Sequence, residues 1–176
     1  STLNDLKDVL AQQANTELPF TPCNVEAMTK QEWSSLNQQV VEKNAQLKIH
    51  FRESSIEYSR PYLENILFHL INNALTYTRP EVLPEITVET WREGDQIVLM
   101  VRDNGIGIDL QKHGEQLFRY KKKFHRGYES NGVGLFMIRN QIRTFGGSID
   151  VKSEEGKGSS FFVFFNNRIH ISKDNE

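Results

Sequence analysis

Leu63, Ile66, Leu67, Leu70, Ile71, Ala74 and Leu75 recur at alternating steps of three and one, the spacing of one buried face of a helix. Asn65, His69, Asn73 and Thr76 fall at steps of four and three, so they stack along the opposite side of the same helix. A solvated helix face usually carries Lys and Glu. This one carries amides, an imidazole and a hydroxyl, groups that bind through directed hydrogen bonds or a metal, and it is expected to meet a ligand. Pro61 suits the first turn of this helix, and Arg79-Pro80, reinforced by Pro84, ends it.

The remaining pattern supplies the other elements. Leu3, Leu6, Val9 and Leu10 predict a short amphipathic helix from Thr2 to about Gln13. Leu18-Pro19-Phe20-Thr21-Pro22-Cys23 reads as an extended or edge-strand link and as the domain boundary. Thr29-Lys30-Gln31-Glu32 has capping-box spacing and predicts a helix carrying Trp33, Leu36 and Val40. Leu47, Ile49 and Phe51 alternate as a strand. Ile86 to Trp91 and Gln96 to Arg102 form a predicted hairpin around Glu93-Gly94-Asp95. The second of these strands runs into Asp103-Asn104-Gly105-Ile106-Gly107-Ile108-Asp109. Asp109 to Ser130 is polar, contains Lys121-Lys122-Lys123, and is expected to act as a mobile lid. After Asn131-Gly132-Val133-Gly134-Leu135, the positions Leu135, Ile138, Ile142 and Phe145 predict a helix closed by Gly146-Gly147. Ser148 to Ser153 and Ser159 to Phe165 form a last strand pair, followed by a polar tail expected to fray. These elements predict an α/β two-layer sandwich, a mixed, mainly antiparallel sheet covered on one face by helices, with a ligand between helices and lid.

With 176 residues and 20.4 kDa, the chain fits one ordinary domain with an appendage. A formal net charge of -2 and a pI near 6.2 argue against nucleic acid as the main partner and for a small ligand or a protein. Cys23 is the single cysteine, so no internal disulfide forms, and its expected role is that of a small apolar residue. With no signal peptide or long apolar run, the chain reads as cytoplasmic.

Three stretches carry candidate chemistry. A carboxylate at the end of a buried strand, followed by Gly105 and Gly107, fixes an acceptor beside backbone that a ligand can approach closely. Gly132 and Gly134 before a helix present free N–H groups and a positive dipole end to an anion. No G-x-x-x-x-G-K-[ST] stretch occurs, and Asn104-Gly105-Ile106-Gly107 lacks the third glycine of a dinucleotide site. Asn72-Asn73-Ala74-Leu75-Thr76-Tyr77-Thr78 resembles the N box of sensor histidine kinases, N-L-x-x-N-A-x-K-Y/F-T. Asp103 to Asp109 is similar to their G1 box and Asn131 to Leu135 to their G2 box, in the order that family requires.

The resemblance implies the Bergerat fold shared with gyrase-type ATPases, mismatch-repair ATPases and heat-shock chaperones, over roughly residues 20 to 165. It implies ATP and Mg2+ as cofactors. Asp103 would accept a hydrogen bond from the exocyclic amine of adenine, which guanine cannot donate. Tyr77, Gly105, Ile106, Gly107, Gly132, Val133, Gly134 and Leu135 would line the nucleotide, with Ser159 or Ser160 near adenine. Asn73 would be the magnesium ligand, and Lys123 would neutralise phosphate charge. Leu117-Phe118 through Lys123-Phe124-His125 resembles the F box of phytochrome-like kinases, where an arginine stands at the Lys123 position. His69 replaces the first N-box asparagine and Thr76 the usual lysine, which bears on catalytic rate more than on nucleotide binding. His69, Asn73 and Lys123 form the implied catalytic group.

By the same resemblance, residues 1–17 are the end of a dimerisation helix and residues 18–176 the catalytic domain. The implied partners are the dimerisation and phosphoacceptor domain of the parent kinase and a response regulator, with no nucleic acid and no membrane contact by this fragment. His50, His113, His125 and His170 all lack the H-E/D-x-x-x-P context of the phosphoacceptor. Two alternatives remain from the residues: a nucleotide-binding regulatory module without phosphotransfer, and a gyrase- or chaperone-type ATPase, whose water-activating glutamate would stand where His69 is.

Overall fold

The computed structural model describes residues 19–114, 117–118 and 134–166. The expected helix near the amino terminus, most of the lid and the polar tail lie outside the described residues. In chain order the elements are β1 (Thr21–Asn24), α1 (Val25–Ser35), α2 (Asn37–Lys43), β2 (Gln46–Phe51), β3 (Ser55–Tyr58), α3 (Arg60–Thr76), β4 (Glu85–Glu93), β5 (Gln96–Asp103), α4 (Leu110–His113), α5 (Gly134–Thr144), β6 (Ser148–Glu154) and β7 (Gly158–Asn166). Five strands form one sheet in the order β2-β4-β5-β7-β6, parallel between β2 and β4 and antiparallel elsewhere. The sandwich expected from the sequence is the one observed.

α3 is the central support of the helical layer. Its face of Tyr62, Leu63, Ile66, Leu67, Leu70, Ile71, Ala74 and Leu75 is buried, and each Leu or Ile so placed contributes about 1.5–3 kcal/mol. Ile86 and Val88 on β4, Leu99 and Val101 on β5, and Phe161 and Val163 on β7 meet it from the sheet. β5 reads as a continuous apolar run because both of its faces are covered. Its other face turns Val98 and Met100 outward, yet both are buried. Arg102 lays a guanidinium nitrogen 3.4 Å from the Met100 sulfur, and the Lys152 ammonium sits 5.4 Å from the centre of the Phe162 ring. Long charged side chains thus cover the outer face with their stems.

The first helix starts earlier than the capping-box spacing predicts. Asn24 is the N-cap, its side chain accepting from the Ala27 N–H at 2.9 Å, while Thr29 is fully buried within α1. Val25 and Met28 already face the core, so burial of the first turn outweighs the Thr29 signal. The helix then breaks at Leu36, and α2 ends on Asn44 in the left-handed conformation at φ 53°. The expected edge-strand link is β1, which pairs with β3 as a separate two-stranded sheet, Cys23 opposite Ile56. Phe20, Tyr58 and Phe145 lock that ribbon to the end of α5 through ring contacts of 4.9–5.3 Å. Gly146 and Gly147 close α5, donating to Arg143 O and Ile142 O at 3.0 Å each, the paired bonds of a Schellman motif.

Candidate functional site

β5 delivers Asp103 to the edge of the helical layer, and the following loop is clamped from two sides. The Tyr77 carbonyl at the end of α3 accepts the Ile106 N–H at 3.0 Å. A Cβ on Gly105 would stand 2.0 Å from that carbonyl oxygen, so no larger residue fits between helix and loop. On the other side the Gly156 N–H donates to Ile106 O at 2.7 Å, and Gly107, at φ 69°, presses against the Glu154 carbonyl.

Within this clamp, Asp103 Oδ1 accepts from the Gly105 N–H at 2.9 Å and the Ser159 N–H at 3.3 Å. Its Oδ2 makes no hydrogen bond among the described residues. Burial pushes the Asp103 carboxyl up to about 6, against the lowering effect of the two backbone donors. Asn104 fixes the loop from behind. Its amide oxygen accepts from Glu85 N at 2.9 Å, its amide nitrogen donates to Leu83 O at 3.0 Å, and Arg79 Nε donates to its carbonyl at 2.9 Å. Ser153 Oγ accepts from Ile108 N at 2.8 Å and lies 2.7 Å from Ser159 Oγ. Ser159 is therefore at the carboxylate. Ser160, one step along β7, points to the outer face, where its hydroxyl accepts from Arg102 Nε at 3.2 Å.

The polar stripe of α3 forms the second wall. Asn72 is engaged structurally, its amide oxygen accepting from Gln39 at 3.0 Å. Asn73, one residue on, makes no side-chain hydrogen bond among the described residues. Thr76 donates back to the Asn72 carbonyl at 2.8 Å, a local bond that occupies its hydroxyl. His69 points to the start of α5, where a Cβ on Gly134 would stand 2.8 Å from Nδ1. Burial pushes the His69 imidazole down to about 4, so it is neutral at pH 7. Leu135, in the first turn of α5, packs half-buried against the core.

Asp103, Gly105, Ile106, Gly107, Ser159 and the Tyr77 carbonyl thus come together, with His69 meeting Gly134 on the α3 side. Lys123, Gly132 and Val133 lie outside the described residues. Sequence reasoning did not single out Ser153, Asn104 or Arg79 as parts of the site. Asn104 carried a signal, since Asn before Gly is turn chemistry, but Ser153 is found only through its cross-strand neighbour. Among the described residues no group of three His, Cys, Asp or Glu side chains could hold a metal. Asn73 offers an amide oxygen that, together with oxygens of a ligand and water, would make a donor set suited to magnesium rather than zinc. No helix among the described residues is long and apolar enough to cross a membrane.

Residues 59–169 match the family described as histidine kinase-, DNA gyrase B-, and HSP90-like ATPase. The circadian input-output histidine kinase CikA of Synechococcus elongatus is 25% identical over 170 residues, covering 92% of this chain and 22% of CikA. The sensor protein SrrB of Staphylococcus aureus is 35% identical over 109 residues, covering 60% of this chain and 18% of SrrB. The chain thus spans about a fifth of the length of these relatives. The catalytic domain of the histidine kinase ThkA superposes with a TM-score of 0.72 at 18% identity, over 85% of this chain and 96% of that one. Full-length ShkA in complex with AMPPNP gives 0.74 at 19% identity, over 94% and 36%. The chain belongs to this ATPase family, and it is a catalytic domain of the kind carried by sensor histidine kinases.

Proposed function

We propose that this domain binds ATP with magnesium and presents the γ-phosphate to a histidine on a separate dimerisation helix, from which it passes to a response-regulator aspartate. The observation that carries the proposal is Asp103. One carboxylate oxygen is held by two backbone N–H groups, and the other has no protein partner among the described residues. That second oxygen suits the exocyclic amine of adenine, while the carbonyl of guanine would face it as a second acceptor.

Gly105 and Gly107 let the loop press against the Tyr77 and Glu154 carbonyls, and the Tyr77 carbonyl and Ser159 fix that loop beside the carboxylate. Asn73 offers a neutral amide oxygen to magnesium without repelling phosphate. Bound there, the ion would neutralise charge on the phosphates. Neutral His69 can hydrogen-bond a metal-bound water or a phosphate oxygen. Lys123, with Gly132, Val133 and Gly134, supplies the phosphate side in this proposal. Catalysis by such a site is mainly positioning. His69 stands where gyrase-type enzymes carry the glutamate that activates water, and the lack of a carboxylate at that position supports transfer to a protein over free hydrolysis.

Residues 1–17 are assigned in this proposal to the end of the dimerisation helix, residues 18–176 to the catalytic domain, and the domain to the cytoplasm. Calorimetric titration with ATP and GTP, each with and without magnesium, tests it. Magnesium-dependent, adenine-selective binding is expected. Absence of ATP binding would overturn the proposal, and binding indifferent to magnesium would remove Asn73 as a ligand.

A further inference from the structure

α3 brings no Lys, Arg or His into its last turn, so its final carbonyls and the negative end of its dipole need a donor from elsewhere. α2 supplies one. The left-handed Asn44 turns the chain out of α2 and leaves Lys43 facing the end of α3. The Lys43 ammonium donates to the carbonyls of Leu75 and Thr76, the latter at 3.4 Å, and to Thr78 Oγ1 at 3.1 Å. One turn earlier on α2, Gln39 holds Asn72. α2 is therefore a clip laid along the carboxyl end of α3.

Tyr77 lies inside the clipped segment. Its carbonyl receives the Ile106 N–H, and the neighbouring Gly105 N–H holds Asp103 Oδ1. We propose that Lys43 is a positioning residue for the nucleotide, fixing the end of α3 so that Tyr77 registers the Gly105-Ile106 loop and, through it, the adenine acceptor. This rests on the ATP-binding proposal for the same site. It adds to that proposal a residue outside all three glycine and asparagine motifs.

The test compares wild-type protein with Lys43→Met, which keeps the apolar stem and removes the donors, and Lys43→Arg, which restores them. Ligand-free amide exchange followed by NMR should show the Ile106 N–H exchanging about tenfold faster in Lys43→Met, with the amides of the β4–β5 hairpin little changed. ATP affinity should fall about tenfold, as expected for losing charged hydrogen bonds, and the preference for ATP over GTP should narrow. Lys43→Arg should recover both, which a role confined to bulk stability would not require. A folded Lys43→Met protein with unchanged Ile106 exchange, or with ATP affinity within twofold of wild type, overturns the proposal. Should Lys43→Met fail to fold, Thr78→Val removes one acceptor at nearly constant shape. A smaller change in Ile106 exchange is then expected, and none at all overturns the proposal. If the wild type itself binds no ATP, the functional proposal falls, while the exchange measurement still decides whether Lys43 sets the loop.

Discussion

Around Asp103, the N–H groups of Gly105 and Ser159, the Asn104 amide and the Ser153 hydroxyl are tied into one network, whereas Asn73 and His69 on α3 make no side-chain hydrogen bond among the described residues. The first region is a finished cradle whose geometry is set mostly by backbone. The second is a row of polar groups on a rigid helix with bonding capacity left over. Such a division suits a ligand with a planar, specific end and a highly charged, hydrated end. A base is recognised by a fixed acceptor, and phosphates with their ion by groups that complete their bonding only when the ligand arrives.

The comparison breaks most completely at Asp103. Asp103→Ala should weaken ATP binding by about 100-fold or more while the circular dichroism spectrum stays folded; unchanged affinity would mean that adenine is read elsewhere. Gly105→Ala forces a methyl group onto the Tyr77 carbonyl, 2.0 Å away, and should cost about 1–3 kcal/mol in urea denaturation together with most of the ATP affinity. On the other wall, His69→Asn with Thr76→Lys should raise phosphotransfer to a dimerisation domain supplied in trans more than it raises ATP affinity, because the proposed function sets these positions on the phosphate side.

Protonation separates the two walls again. The Asp103 carboxyl is raised to about 6, so its preference for the proton supports the ligand-free fold fully below its ordinary value of 3.8 and is lost as pH rises through about 6. His69 is lowered to about 4 from 6.5, so its contribution is present above 6.5 and lost as pH falls through about 4. The two oppose each other between these values. Asp103→Asn should therefore make the ligand-free domain lose stability more steeply on acidification from pH 6 to 4, as read by thermal melting. In the wild type, ATP affinity should drop about tenfold per pH unit below about 6, since an ionised carboxylate is the better acceptor for the adenine amine. The smallest effect distinguishes neighbours on β7. Ser159→Ala should weaken ATP binding by a fewfold, and Ser160→Ala should leave calorimetric affinity unchanged.

α3 was legible because its code is local: seven apolar positions at helical spacing and a proline at its start leave no other face to bury. Asp103 was legible because an apolar run ending in Asp-x-Gly-x-Gly marks a strand that must stop beside close backbone. The start of α1 was misplaced because Thr29-Lys30-Gln31-Glu32 is as good a local cap as Asn24, and only the burial of Val25, Met28 and Thr29 against the core decides between them. The ribbon of β1 and β3 was only half visible. A four-residue strand has little pattern of its own, and its partner lies some thirty residues away.

The sequence by itself determined the layers, the order of the three motifs and the placing of a carboxylate, Asp103, at the end of a buried strand beside two glycines, because helical and strand periods and glycine's missing side chain act within a few residues. The tertiary structure decided which member of each ambiguous pair is turned toward the candidate site or left unbonded beside it. Asn72 is taken by Gln39 and Asn73 is not; Ser159 reaches Asp103 and Ser160 turns away. It also brought Lys43 to the end of a helix 32 residues further along the chain. Those choices depend on which surface a neighbouring element occupies, and that is settled by the burial of whole faces against one another rather than by any residue's own preference.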